Sequence, residues 1–116
     1  MGDIVLVNLN PVKGTEQASP PQGRPCLVIG GPFNWDSLVI VVPLSTVDRG
    51  WVTHIPVNAG KQSFALCEQV RALAVYRIQR KIGLMDYSQL SEVQVTVARL
   101  IGVYSPNAVP QEGHNN

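Results

Sequence analysis

Residues 14–25 read GTEQASPPQGRP. An acid, Glu16, and a base, Arg24, bracket a run of small, polar and breaker residues, and the apolar run CLVIGG follows at once. Two hydroxyls, Ser45 and Thr46, close the segment SLVIVVPLST, and a further acid, Glu68, lies within SFALCEQVRALAV. Each of these residues stands where an apolar, strand-like segment meets a loop, the place from which a rigid scaffold presents functional side chains.

The inventory lacks the usual catalytic sets. Gly30-Gly31 has neither the Lys-Ser/Thr of a phosphate loop nor the spacing of a dinucleotide fingerprint. Ser45 has no G-x-S-x-G setting. His54 and His114 are too few for a histidine-based metal site, and neither Cys26 nor Cys67 has a near partner for a zinc knuckle. Hence no metal and no cofactor is expected.

One reaction suits so short an inventory. RNA carries its own nucleophile, the 2′-hydroxyl beside the scissile phosphate. Cleavage by 2′-OH attack needs a base, a proton donor for the leaving 5′-oxygen, and positive charge on the pentacoordinate phosphate. Glutamate, arginine and hydroxyl groups can supply all three.

The elements that must position these residues are mostly strands. Segments 3–9, 24–31, 37–46 and 51–57 are rich in β-branched residues and are separated by Asn-Pro, Gly-Gly, FNWD and VDRG breaks. Segment 63–75 holds two short strands joined by a kink near Glu68. YRIQRK reads as a connector or a single helical turn, and IGLM as a last strand. Short strands with turn signals every 8 to 12 residues argue for a small barrel or sandwich. A helix follows. Asp86 can cap it, with Gln89 three residues on as in a capping box, and Leu90, Val93, Val97, Leu100, Ile101 and Tyr104 share one face. The expected domain is residues 1–104, with 105–116 a disordered tail.

The length of 116 residues suits one domain, and 45% apolar against 15% charged residues describes a globular chain. The net charge of +1 gives no global attraction to nucleic acid. Its distribution is more informative: residues 71–81 contain Arg71, Arg77, Arg80 and Lys81 and no acid. A local basic stripe is therefore possible, with solvated, scattered charges as the alternative. Trp35, Trp51, Phe33 and Tyr76 can stack on bases or pack in the core or at its rim. Cys26 and Cys67 lie in apolar runs and read as buried, reduced thiols of a cytoplasmic protein; a disulfide or a nucleophilic cysteine is the alternative. No secretion signal and no apolar run of membrane-spanning length is present.

In order along the chain, GDIVLVNLNPVKGTEQ…GRPCLVI, VVPLST, CEQVRAL and KIGLMD before a helix resemble the MazF/PemK toxins of bacterial toxin–antitoxin systems. The resemblance spans nearly the whole expected domain. It implies a small SH3-like β-barrel with a C-terminal helix, acting as a homodimer. It implies metal-independent cleavage of single-stranded RNA to a 2′,3′-cyclic phosphate and a 5′-hydroxyl, and an antitoxin whose acidic, disordered segment blocks the RNA groove. Arg24 matches the arginine of the family's RP motif, which stabilises the phosphorane or donates a proton. Glu16 matches the EQ glutamate, a proposed base. Ser45 takes the place of a threonine, with Thr46 next to it, and Glu68 matches an acid that is itself a proposed base in some members. Lys13, Arg71, Arg77, Arg80 and Lys81 are the expected RNA-binding cations. Two departures stand out: serine replaces threonine at 45, and the Glu16–Arg24 interval is longer than usual through an added SPP. A non-catalytic, protein-targeting toxin of the CcdB type shares the fold and is the alternative.

Overall fold

A computed structural model describes residues 1–9 and 23–102. Its elements are β1 (Asp3–Val7), β2 (Arg24–Phe33), β3 (Leu38–Ser45), β4 (His54–Asn58), β5 (Gln62–Leu66), β6 (Arg71–Ala74), β7 (Ile78–Leu84) and α1 (Tyr87–Leu100), with 3-10 turns at Cys67–Gln69 and Val75–Arg77. Every strand pair is antiparallel.

The first three strands are apolar at nearly every position because both of their faces are covered. Alternate residues of a strand point to opposite sides of the sheet. Ile4, Leu27, Ile29, Val42 and Leu44 join one core with Val57, Ala65, Cys67, Met85 and the helix residues Leu90, Val93 and Val97. Val5, Val7, Cys26, Val28, Val39 and Val41 join a second with Leu9 and Leu73. Thus a run such as CLVI contributes to two cores in turn.

The mainly β class with a C-terminal helix is as the sequence implied, but the barrel is not closed. The strand path runs β4-β5-β3-β2-β1-β7, and no ladder joins β4 to β7 among the described residues. The division occurs at β3. Residues 38–41 of its outer edge pair with β6, whereas Leu44 and Ser45 pair with β5. The sheet therefore forks at the Glu68 kink.

Several boundaries differ from the sequence reading. YRIQRK is a connector only as far as Arg77, and the last strand begins at Ile78 because β7 pairs with β1 from Ile78↔Val7 to Asp3↔Leu84. Segment 51–57 is extended only from His54, since His54 N–H donates to Trp51 C=O across a turn (3.0 Å). The FNWD turn is present, with Asn34, Trp35 and Asp36 all at positive φ (51°, 58° and 65°). The helix starts where expected, but no capping box forms. The Asp86 carboxylate accepts from the Ser88 hydroxyl (2.6 Å), and the Gln89 side-chain oxygen accepts from the Asn58 backbone N–H (2.9 Å). Gln89 is thereby a tie between α1 and β4. Leu90, Val93 and Val97 are buried as predicted, while Leu100 and Ile101 are exposed and Tyr104 lies outside the described residues. No helix among the described residues is long and apolar enough to cross a membrane. The tail 105–116 also lies outside them.

Candidate active site

Arg24 opens β2. The proline at 25 restricts it to extended backbone and lacks an N–H, which a strand start tolerates. Gly23 before it has φ +98°, and a Cβ there would collide with the Gln79 side chain, so the chain enters β2 through a position built for glycine. The ladder pairs Arg24 with Val7 on one side. On the other, Cys26↔Pro43 carried on by two residues sets Arg24 level with Ser45, and Ser45 pairs with Phe64 of β5. The arginine and the hydroxyls, far apart in sequence, therefore meet in one row at the ends of three strands.

There they line a pocket of about 380 Å³, together with Ile4, Pro25, Leu44, Val47, Ala59, Lys61, Ser63 and Ile82. The Ser45 hydroxyl oxygen accepts from Val47 N–H (3.1 Å), which leaves its own hydrogen free to donate. Arg24 is half-buried, and its Nε and Nη2 are buried with no hydrogen-bond partner among the described residues. Burial lowers the guanidinium from its ordinary value, although the nearby Cys26 works the other way; an arginine stays charged regardless. Leaving two charged donors unsatisfied is costly, and an anion with two acceptor oxygens would relieve both at once.

Glu68 lies elsewhere. It sits on the Cys67–Gln69 turn and does not line the Arg24 pocket. One carboxylate oxygen accepts from the Thr53 hydroxyl (2.7 Å) and the other meets His54 Nε2 (2.9 Å). Partial burial alone would raise this carboxyl. The hydrogen bonds from Thr53 and His54 outweigh it and hold Glu68 below its ordinary value. The His54 ring is buried, packs 4.9 Å from the Trp51 ring, and has no partner at Nδ1 among the described residues. Glu16 and Lys13 lie outside the described residues.

The basic segment is divided between two edges of the sheet. Arg71 is on β6, opposite Val41 of β3. Arg77 donates from Nη1 to Asn8 C=O (3.3 Å), beyond the end of β1. Arg80 is exposed on β7, and Lys81 pairs with Asp3 (3.2 Å). These cations therefore lie on different elements: β6, the 75–77 turn and β7. Arg71 and Arg24 both act on Cys26: burial pushes its thiol up to about 12, and the two positive charges work against that rise. Both cysteines are free and buried, and burial likewise pushes Cys67 up to about 12, so neither is an activated nucleophile. Trp35 and Tyr76 are 100% and 84% exposed, so neither packs in the core.

Sequence reasoning did not find Lys61 and Ser63 as pocket residues, or His54 as the partner of Glu68. No motif marks any of them, since each acquires its neighbour only when β4 and β5 pair.

A small, mainly β domain with an arginine–hydroxyl pocket at its strand ends is thus in place. The chain belongs to the PemK-like, MazF-like toxins of type II toxin–antitoxin systems, whose family model matches residues 1–101. It is 29% identical over 107 residues to the endoribonuclease toxin MazF of Escherichia coli (strain K12), covering 88% of this chain and 93% of that protein. It is 29% identical over 101 residues to endoribonuclease EndoA of Bacillus subtilis (strain 168), with 79% and 84% covered. Among solved structures it resembles MazF from Deinococcus radiodurans, with a TM-score of 0.76, 23% identity, and 88% and 94% of the two chains covered. It also resembles the chain from a MazE–MazF crystal structure of the same organism, with a TM-score of 0.69, 20% identity, and 89% and 94% covered.

Proposed function

We propose that this chain is the toxin of a toxin–antitoxin pair and an endoribonuclease that cleaves single-stranded RNA by attack of the 2′-hydroxyl. The observation that carries the mechanism is Arg24, whose buried Nε and Nη2 lack hydrogen-bond partners among the described residues and which shares a pocket with Ser45 and Thr46. The scissile phosphate lies against this pair. Arg24 neutralises the charge that develops on the equatorial oxygens as the 2′-oxygen bonds to phosphorus and the 5′-oxygen departs. Ser45 and Thr46 donate hydrogen bonds to a non-bridging oxygen or to the leaving 5′-oxygen, which takes its proton from solvent water, while Glu16 returns the 2′-OH proton to solvent. The products are a 2′,3′-cyclic phosphate and a 5′-hydroxyl. Glu68 is occupied by Thr53 and His54 within the chain. We therefore assign the 2′-OH proton to Glu16, the other acid of the sequence pattern, and give Glu68 a structural role. The toxin works in the cytoplasm, where mRNA is available; the free thiols of Cys26 and Cys67 support a reducing compartment. The similar chain solved in a MazE–MazF crystal structure supports a partner antitoxin, and the homodimer that the family resemblance implies is the proposed assembly.

The test is incubation of the purified protein with a long RNA in excess EDTA, followed by end-group analysis. Cleavage should persist, give cyclic-phosphate and 5′-hydroxyl ends, and fail on RNA with a 2′-deoxy group at the cut. Cleavage that disappears with chelator and returns with magnesium would overturn the mechanism. A folded protein that never cuts RNA would favour the non-catalytic toxin.

A further inference from the structure

The Arg24 pocket has a second cation that the mechanism above does not use. Lys61 lines it from the turn between β4 and β5, is exposed, and has no carboxylate within ion-pair distance among the described residues. Lys81, by contrast, is paired with Asp3.

The turn that carries Lys61 is held at four points. Asn58 Oδ1 accepts from Gly60 N–H (3.0 Å). Gly60 adopts φ +87°, which suits glycine. The Lys61 carbonyl accepts twice, from Ala59 N–H (3.1 Å) and from the hydroxyl of buried Ser63 (3.2 Å). Asn58 N–H donates to Gln89 of α1, so the turn is tied to the helix. The base of a side chain with four flexible carbons is thereby fixed, which lowers the entropy lost when its ammonium group is captured.

Position separates its task from that of Arg24. Arg24, Ser45 and Phe64 form a row across β2, β3 and β5, and Lys61 leaves the sheet three residues before Phe64. Two inter-strand steps are about 10 Å. The two cations thus enter the same pocket from different elements, the start of β2 and the β4–β5 turn, and Ser45 and Thr46 line it with them.

We infer that Lys61 is a substrate-positioning residue that holds the RNA phosphate next to the scissile one, with Ser63 and Gln89 fixing the turn that presents it. This inference rests on the RNA-cleavage reading of the pocket. Lys61 acts in binding and not in the bond-breaking step.

The probe is a short RNA with a single 2′-deoxy group at the cut, which binds without being cleaved, alongside its all-ribose version. Lys61→Ala should weaken binding of the 2′-deoxy probe by about tenfold, the size of one charge-assisted hydrogen bond. The salt slope of binding should drop by about 0.7, the value for one phosphate contact on a single strand. KM should rise while kcat stays within about twofold, and Lys61→Arg should restore most of the loss. Gln89→Ala should give a smaller loss of affinity with the full salt slope. Unchanged affinity and slope for Lys61→Ala, with melting unaltered, would overturn the assignment. A kcat loss as large as that of Arg24→Ala would do so too. The two readings fail differently. Wild-type protein that binds the probe through Lys61 but never cleaves leaves this assignment standing and removes the cleavage reading. Wild-type protein that cleaves with no contribution from Lys61 does the reverse.

Discussion

Two polar clusters flank the same fork in the sheet, and they are built in opposite ways. Around Glu68 every strong group but one has a partner: Thr53 and His54 occupy both carboxylate oxygens, and the His54 ring is packed against Trp51. Around Arg24 two donors of the guanidinium have none among the described residues, and the hydroxyl of Ser45 keeps a hydrogen to give. A satisfied cluster rigidifies the fold and has little left with which to bind a substrate. An unsatisfied charged donor at a pocket costs stability in the free protein and regains it when a ligand arrives. Charge and residue type alone would rank the two clusters equally; hydrogen-bond satisfaction separates them.

The sharpest way to break this comparison is to remove each centre in turn. Arg24→Ala should lower single-turnover cleavage by about 10²–10³-fold, the typical loss of one preorganised donor to the developing charge. RNA binding should fall much less, and melting should hardly change or should rise slightly, since an unsatisfied charge is removed. Arg24→Lys should fail nearly as badly, because a point charge does not reproduce the guanidinium fork. Near wild-type cleavage by a folded Arg24→Ala protein would remove the site from this position.

Glu68→Ala should show the converse. It leaves buried His54 Nε2 without its acceptor and should destabilise the fold by about 1–3 kcal/mol, with cleavage at a permissive temperature within a few-fold of wild type. The effect should depend on pH. The folded-state carboxyl is held below its ordinary value of 4.5, so its contribution is complete above that value. It is lost as the pH falls through the lowered folded-state value. The gap in denaturant midpoint between wild type and Glu68→Ala should therefore be constant near neutrality and narrow in acid. A catalytic loss to rival Arg24→Ala, without a stability loss, would return Glu68 to the reaction.

The smallest effect concerns the basic segment. Arg80→Ala should reduce the salt slope of RNA binding by about 0.7, and Lys81→Ala by less, because Lys81 already faces Asp3. Equal and full slopes in both variants would place the RNA path away from β7.

Much of this architecture was legible in the residue pattern. The strands, the FNWD and VDRG breaks between them, and the helix face Leu90, Val93, Val97 follow from local periodicity and turn residues, whereas β2 runs on through the expected break at Gly30-Gly31 to Phe33, and Asn10-Pro11 lies outside the described residues. The segment 78–81 was not legible as strand. Its charges resemble a connector, and only the ladder to β1 makes it β7. The capping box failed for a similar reason: Gln89 met a stronger claim from the Asn58 N–H of a distant strand.

The candidate site divides along the same line. By itself the sequence determined that Arg24 would leave a stiff strand start, since Pro25 restricts the backbone whatever surrounds it, and that Ser45 and Thr46 would end a buried strand. Only the tertiary structure decided which of these residues share a pocket. The β2–β3–β5 register put Arg24 level with Ser45 and brought in Lys61 from a turn that no motif marks. The pairing of His54 with Glu68 took one expected base out of that pocket. The physical reason is that local sequence sets backbone preference over a few residues, whereas hydrogen-bond partnership between groups 14 or more positions apart is set by strand register.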